Sequence, residues 1–301
     1  MNWRSILMSE EVKTIESKID KTIISILLPT RGRTEVLKKS IESLITTASD
    51  PSRLEILLGL DDDDEEVRPY IEEHIAPMMR ENNVECRANI FEPLGYEKLN
   101  IYVNTLASSA TGSWIFFWND DALMETEGWD DVIESKNGQF KLFAPKDNHN
   151  GHPYAILPIL PMDWFRLMDH LSLNAQNDAW LSHIAYMLDI FERIDIQFLH
   201  DRADLTGNNN DETFQNRKYM EGNPDDPADF SHPDAQQARV RSAYKIAWFL
   251  DRIGQHSHWW DRVQAGEQDP FEKMVWPKDV KGAGQLQAEE PEIPDDEIIE
   301  L

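Results

Sequence analysis

The run Ile23-Ile24-Ser25-Ile26-Leu27-Leu28-Pro29 is short, β-branched and apolar on both faces. That pattern predicts a buried parallel strand. Thr30-Arg31-Gly32-Arg33 follows as a loop, and Thr34 is placed to cap a helix whose apolar positions Leu37, Ile41, Leu44 and Ile45 recur at helical spacing. Leu54 to Leu60 predicts a second buried strand running into six acids, Asp61 to Glu66. A helix is expected over roughly 66–81 and a third strand from Cys86 to Phe91. Leu99, Val103, Leu106 and Ala110 mark a helix from Glu97, closed by Thr111-Gly112. Trp114 to Trp118 predicts a fourth strand, ending in Asn119-Asp120-Asp121. Four alternations of strand and helix imply an α/β fold with helices on both faces of a parallel sheet.

The pattern loosens after residue 121. Lys141 to Ala144 predicts a strand, and Tyr154 to Leu160 is apolar but interrupted by Pro158. Asn177 to Phe191 predicts a helix, Ile194 to Leu199 a strand ending at His200, and Gln236 to Ile253 a helix. Residues 206–234 are rich in Asn, Asp, Gly and Pro and read as a long loop. From Glu289 the chain carries seven acids and no base, the composition of a solvated tail. The expected organisation is a lead-in over 1–21 and a main domain over 22–204. That domain divides at residue 121 into a first half, 22–121, and a second half, 122–204. A loop and helical extension over 205–280 and an acidic disordered tail over 281–301 complete it.

Composition narrows the class. Apolar residues are 41% of the 301, enough for a sizeable core, and the formal charge is −27. Such a charge opposes general affinity for nucleic acid or anionic membrane. Cys86 is the single cysteine, so an internal disulfide and a cysteine-based zinc site are excluded. No stretch approaches the ~18 apolar residues of a membrane span, and no signal peptide is evident. A soluble, cytoplasmic protein with no membrane partner is expected.

No G-x-G-x-x-G, P-loop, G-x-S-x-G or H-E-x-x-H motif is present. The candidate chemistry lies at strand ends, where open parallel sheets bind ligands. Asp120 and Asp121 are adjacent carboxylates delivered by an apolar strand. One could bind Mg²⁺ or Mn²⁺ while the other orients a ribose hydroxyl; the same residues also suit a plain turn. Asp61 directly ends its strand and could accept from a nucleobase amide. Asp63 is a lesser candidate for that pocket, and the remaining acids read as a solvated loop. Arg31 and Arg33 suit phosphate or carboxylate recognition. Lys98, early on its helix, could reach the same crevice. Asp178, at a helix start, is either an acid favoured by the helix dipole or a general base aimed into the crevice. His200 could be a third metal ligand. His256 and His258, beside Trp259 and Trp260, read as structural.

Taken in order, these features resemble the nucleotide-sugar-dependent glycosyltransferases of the GT-A fold, particularly the family-2-like group, from about Ile23 to His200. Ile24 to Arg33 resembles that group's first strand and nucleotide loop, Leu57 to Asp61 its second strand and base-contacting acid. Lys98 to Trp114 is similar to the helix and Gly turn before its metal motif. Asn119-Asp120-Asp121 stands where the group carries D-x-D, with Asn119 replacing the first acid. Gly128-Trp129-Asp130 follows where a tryptophan is frequent. The resemblance implies a mostly parallel central sheet with a C-terminal helical extension. It implies transfer of a sugar from a nucleoside diphosphate sugar, a UDP-sugar favoured, to an acceptor hydroxyl with inversion. Pro29, Thr30, Arg31, Arg33, Asp61, Asp63, Lys98, Asn119 and Asp120 would bind the donor. Asp121, with His200, would hold Mn²⁺ or Mg²⁺, and Asp178 would be the base. The form also resembles transferases of phage and environmental viral sequences, which would place it in a host cytoplasm. The acceptor is then either a glycan or a hydroxymethylated base in DNA, for which Arg239, Arg241, Lys245 and Arg252 offer a local basic strip. A sugar-phosphate nucleotidyltransferase and a non-catalytic nucleotide-sugar-binding relative remain open alternatives.

Overall fold

The first strand, β1 (Ile24–Thr30), is buried along nearly its whole length, as its apolar run requires. A computed structural model describes residues 22–148, 153–210, 214–215 and 229–255. The expectations for the lead-in 1–21, for His256, His258, Trp259 and Trp260, and for the acidic tail fall outside the described residues.

Helix α1 (Thr34–Thr47) follows β1 and buries Leu37, Ser40, Ile41, Leu44 and Ile45. The capping expectation for Thr34 is not met. Arg33 holds the cap position without a side-chain cap bond, since a guanidinium has only donors to offer, and it donates to two carboxylates instead. Strand β2 (Leu54–Asp61) is buried throughout. The expected helix over 66–81 is present as α2, built of Val67–Tyr70, a π segment Ile71–Ile75, and Ala76–Glu81. Pro77, which has no N–H to donate to the preceding turn, follows the π segment closely. Strand β3 (Glu85–Phe91) is half-exposed at the sheet edge. Helix α3 (Leu99–Ser109) leads into β4 (Trp114–Phe117).

The second half adds β5 (Ala122–Met124), α4 (Trp129–Glu134), β6 (Leu142–Lys146), β7 (Ile159–Pro161) and α5 (Met162–Met168). Helix α6 (Asn177–Met187), β8 (Phe191–His200), α7 (Ala203–Thr206) and α8 (Pro233–Arg252) complete the described elements. Helix α6 stops four residues short of the expected Phe191. Asp189 takes a left-handed φ of 57°, and Phe191 already pairs with Leu142 of β6.

The eight strands lie in the order β3-β2-β1-β4-β7-β6-β8-β5. Pairs β1/β2, β2/β3, β1/β4 and β6/β8 are parallel; β4/β7, β6/β7 and β5/β8 are antiparallel. Alternate residues of the central strands enter two cores. Leu27, Leu57, Ile115 and Phe117 join one, and Ile26, Leu58 and Phe116 the other. Helix α8 adds Val240, Ile246 and Leu250 to the first core, beside Trp164 and Trp180. Among the described residues, no helix is long and apolar enough to cross a membrane.

The chain runs β1, β2, β3 outward and then returns to the other side of β1 for β4. The topological switch point therefore lies between β1 and β4, at the carboxyl ends of parallel strands, where a ligand crevice is expected.

Candidate active site

A cavity of about 970 Å³ opens at that switch point. Its floor is the end of β1 and the loop after β4. The Thr30 hydroxyl donates to Asp120 Oδ2 at 2.8 Å, tying the two strands together across the crevice. Arg33 Nη1 donates to Asp120 Oδ1 at 2.9 Å and to Asp121 Oδ2 at 3.2 Å. His200 Nε2 lies 3.2 Å from Asp121 Oδ1. All five of these side chains are buried. Desolvation pushes the Asp120 carboxyl up to about 6, against the opposing pull of Arg33. Burial also acts upward on Asp121, but the bonds and charges of His200 and Arg33 outweigh it and hold that carboxyl below its usual range.

His200 reaches Asp121 because β5 runs antiparallel to β8 and sets Ala122 opposite His200. The Asn148 amide clasps the His200 backbone from the far side, accepting from its N–H at 2.9 Å and donating to its carbonyl at 3.2 Å. Asn119 Nδ2 approaches His200 Nε2 at 3.4 Å. Ser40 of α1 fixes this loop from below. It accepts from the Trp118 indole at 2.8 Å and donates to the Asn119 carbonyl at 3.0 Å. Sequence reasoning missed Ser40, Asn148 and strand β5. A polar residue within an apolar helix stripe was the signal available for Ser40.

The second strand end forms the other wall. Asp61 is buried, takes the Tyr102 hydroxyl on Oδ1 and receives Arg31 Nη1 on Oδ2 at 2.8 Å. Arg31 also grips Asp63 through both terminal nitrogens. That pair holds the Asp63 carboxyl below its usual range and the guanidinium above its own. Gly32 supplies the left-handed turn between the arginines, φ 63°, and its N–H is taken by Asp64 at 2.7 Å. Pro29, Thr30, Arg31, Arg33 and Asp61 all line the cavity. Asp63 does not; it stands exposed behind Arg31. Lys98 likewise does not reach the crevice. It ends a 3₁₀ turn, Tyr96–Lys98, of which Tyr96 lines the cavity while Lys98 is exposed.

The opposite wall carries Asp178, half-buried in the first turn of α6. The loop before it is pinned by Asn104 of α3, which accepts from Leu171 N and donates to the Ser172 carbonyl, both at 2.7 Å. Tyr154, Phe214 and Phe230 line the cavity beyond. Burial, and then the charge of Asp178, push the Tyr154 phenol up to about 12. The site thus joins Asp61, Asp120, Asp121, His200 and Asp178 on one cavity.

The basic strip expected on the last helix is not formed as read. Arg239 is buried, its Nε 2.7 Å from His183 Nδ1 and its guanidinium over Phe230 and Trp180. Arg241, Lys245 and Arg252 remain exposed.

Asp120, Asp121 and His200 offer the oxygen and imidazole donors that Mn²⁺ accepts. Among the described residues, no group of three or more His, Cys, Asp or Glu side chains is placed to hold an ion alone. The donor set therefore fits a divalent ion only when a bound ligand supplies the rest of its shell.

No family model and no curated protein matches the chain. Solved structures do. The mannosyltransferase PcManGT from Pyrobaculum calidifontis, in complex with GDP-Man and Mn²⁺, aligns with a TM-score of 0.50 at 10% identity, over 82% of this chain and 76% of its own. The fold is GT-A. Residues 1–349 of S. aureus TarS, in complex with UDP, align at 12% identity and a TM-score of 0.48, over 82% and 92% of the two chains. At these identities the likeness is one of GT-A fold, and the chemistry rests on the residues described above.

Proposed function

We propose that this protein is a glycosyltransferase that moves a sugar from a nucleoside diphosphate sugar to an acceptor hydroxyl. One observation carries the reading: a single cavity at the switch point of a GT-A sheet joins Asp61, the Asp120–Asp121 pair and Asp178. Asp61 and the Pro29–Arg33 loop bind the nucleoside, with Tyr102 fixing the Asp61 carboxylate. Asp121 and His200, with Asp120 beside them, would hold Mn²⁺ or Mg²⁺, which supplies positive charge for the departing diphosphate. Asp178 accepts the acceptor's hydroxyl proton as its oxygen bonds to the anomeric carbon. The bond from that carbon to the phosphate oxygen breaks, and the nucleoside diphosphate leaves with the electron pair. Attack from the face opposite the leaving group inverts the anomeric centre.

A glycan is the favoured acceptor. Tyr154, Phe214 and Phe230 give the Asp178 side of the cavity aromatic surface for a sugar ring, and the burial of Arg239 weakens the basic strip that DNA would need.

The deciding experiment combines a thermal-shift panel of UDP, GDP, CDP, ADP and TDP, with Mn²⁺ or chelator, and product analysis with the matching sugar donors. One nucleotide at ~100 times its Kd should add ~2.7 kcal/mol of stability. Release of a nucleoside diphosphate supports transfer. Release of pyrophosphate would instead identify a nucleotidyltransferase, and binding without turnover a non-catalytic relative. Asp178→Asn should lower kcat by at least about 100-fold while nucleotide affinity stays within twofold.

A further inference from the structure

Arg239 of α8 is a buried cation, 2% exposed. Among the described residues no carboxylate pairs with it. Its Nε donates to His183 Nδ1 at 2.7 Å, and its Nη1 is buried without a hydrogen-bond partner. Burying a guanidinium without a counter-charge is costly, and an apolar side chain would join α6 to α8 more cheaply. What an apolar side chain does not offer is a flat cation that packs on aromatic rings. The guanidinium carbon lies 5.0 Å from the ring centre of Trp180 and 3.8 Å from that of Phe230. Trp180 is fully buried in α6, two residues after Asp178. Phe230 is half-buried and lines the same cavity as Asp178. The contacts from Trp180 through Arg239 to Phe230 therefore tie a cavity-lining ring to the helix that carries Asp178. The backbone around Phe230 is held too. The Asp229 carboxylate accepts from the Ser231 N–H at 2.8 Å and from the Ser231 hydroxyl, and the Asp229 carbonyl accepts from the His232 N–H at 3.2 Å. A ring fixed in this way loses little freedom when a ligand packs on it.

We propose that Phe230 is the platform on which a pyranose ring of the acceptor packs through its C–H face, and that Arg239 is the positioning residue that sets this platform relative to Asp178. The inference rests on the glycosyltransferase reading and names its acceptor class as a neutral sugar. A pyranose has an apolar C–H face and a rim of hydroxyl donors. Phe230 suits the face, and Asp178, Asp229 and Tyr154 bring oxygens to the same cavity for the rim. Two carboxylates there also disfavour the phosphates of a DNA acceptor. A ring resting on Phe230 presents its hydroxyl at a place fixed relative to Asp178, the orientation that general-base transfer needs.

Saturation-transfer difference NMR on the full chain tests this, with Mg²⁺ and UDP or GDP present. The probes are the methyl α- and β-glycosides of glucose, galactose, mannose and N-acetylglucosamine, and the nucleoside 5-hydroxymethyl-2′-deoxycytidine. In the wild-type protein, saturation should reach the ring C–H protons of at least one glycoside. Phe230→Tyr, which keeps the ring, should bind that glycoside within about twofold of wild type, whereas Phe230→Leu should weaken it at least about fivefold. Arg239→Met keeps a long buried side chain but not the flat cation, and should weaken the glycoside at least about threefold with Phe230 intact. Arg241→Gln, exposed on the same helix, should bind as wild type does. Absence of any glycoside signal overturns the proposal, and so does binding that Phe230→Leu or Arg239→Met leaves unchanged. Saturation of the nucleoside alone also overturns it and would assign the platform to a DNA base. The glycosyltransferase reading survives each of these results if UDP or GDP binds in the same samples. Failure of both nucleotides removes the donor reading for them, while a glycoside signal lost in Phe230→Leu would still support the platform. Should Arg239→Met fail to fold, Arg239→Lys, which keeps the charge and loses the plane, takes its place, and the two Phe230 variants decide the platform by themselves.

Discussion

His183 is nine-tenths buried between α6 and α8, and its Nδ1 accepts the Arg239 Nε hydrogen. Desolvation, reinforced by the neighbouring guanidinium, holds its pKa well below the ordinary histidine value. The unfolded chain therefore gains a proton near pH 6.5 that the folded chain refuses. The stability linked to this residue is full above that pH and is lost as pH falls toward the folded pKa. Wild-type Tm should drop more steeply from pH 7 to pH 5 than the Tm of His183→Gln, whose amide can still accept from Arg239. Equal slopes would show that folding leaves the proton affinity of His183 unchanged. Asp120, whose carboxyl is pushed up, works in the other direction over the same range, so the comparison between the two proteins is the informative one. Residues of this kind were the least legible from sequence. Asp61, Asp120, Asp121 and His200 announced themselves because each is polar at the end of an apolar strand. Tyr102, Asn104 and Asn148 act on the site from a helix or a loop, and nothing in their local sequence says which way they face. Arg239 misled for the same reason: a basic residue on an amphipathic helix reads as surface until the packing of Phe230 and Trp180 around it is seen.

Among the elements, α4 shows how a short helix can be held by charge. Asp130 is fully buried and accepts from the backbone N–H groups of Ser49 and Asp50 at 2.7 and 3.0 Å. Its other contact is Arg53, whose buried guanidinium also pairs with Asp131 and Glu134. This cluster ties the turn after α1 to the start of α4, well removed from the strand ends that form the crevice. Removing the carboxylate leaves two backbone donors and a buried cation undersatisfied. Asp130→Ala should cost about 3–5 kcal/mol, measured as a lower urea midpoint at unchanged m-value. The first four strands and their helices were read nearly to the residue, because short apolar runs and helical spacing alternate cleanly there. The second half was harder for a physical reason. β5 and β7 have three residues each, too few to show a period, and their pairing is fixed by partners distant in sequence. The end of α6 was misplaced because Leu188, Ile190 and Phe191 continue an apolar run across a helix-to-strand turn that only the left-handed Asp189 marks.

For the whole molecule, charge is the dominant feature. A formal charge of −27 over the chain is self-repelling. Raising NaCl from about 20 mM to about 300 mM shortens the screening length to less than 10 Å, and Tm should rise by a few degrees. A fall would mean that ion pairs such as Arg31 with Asp61 and Arg53 with Asp130 outweigh the repulsion.

The sheet order has a consequence for the chain as it is made. Strand β4, Trp-Ile-Phe-Phe, is one of the most apolar in the sheet, and its outer edge is covered by β7. Synthesis at about 5–20 residues per second leaves β4 complete for about 2 to 8 s before β7 has been added. Through that interval a nascent chain carries an unpaired aromatic strand edge, the kind of surface that seeds association between chains. Ribosome-bound chaperones and slow translation between Asp121 and Ile159 would therefore act on the yield of this protein more strongly than on its final stability.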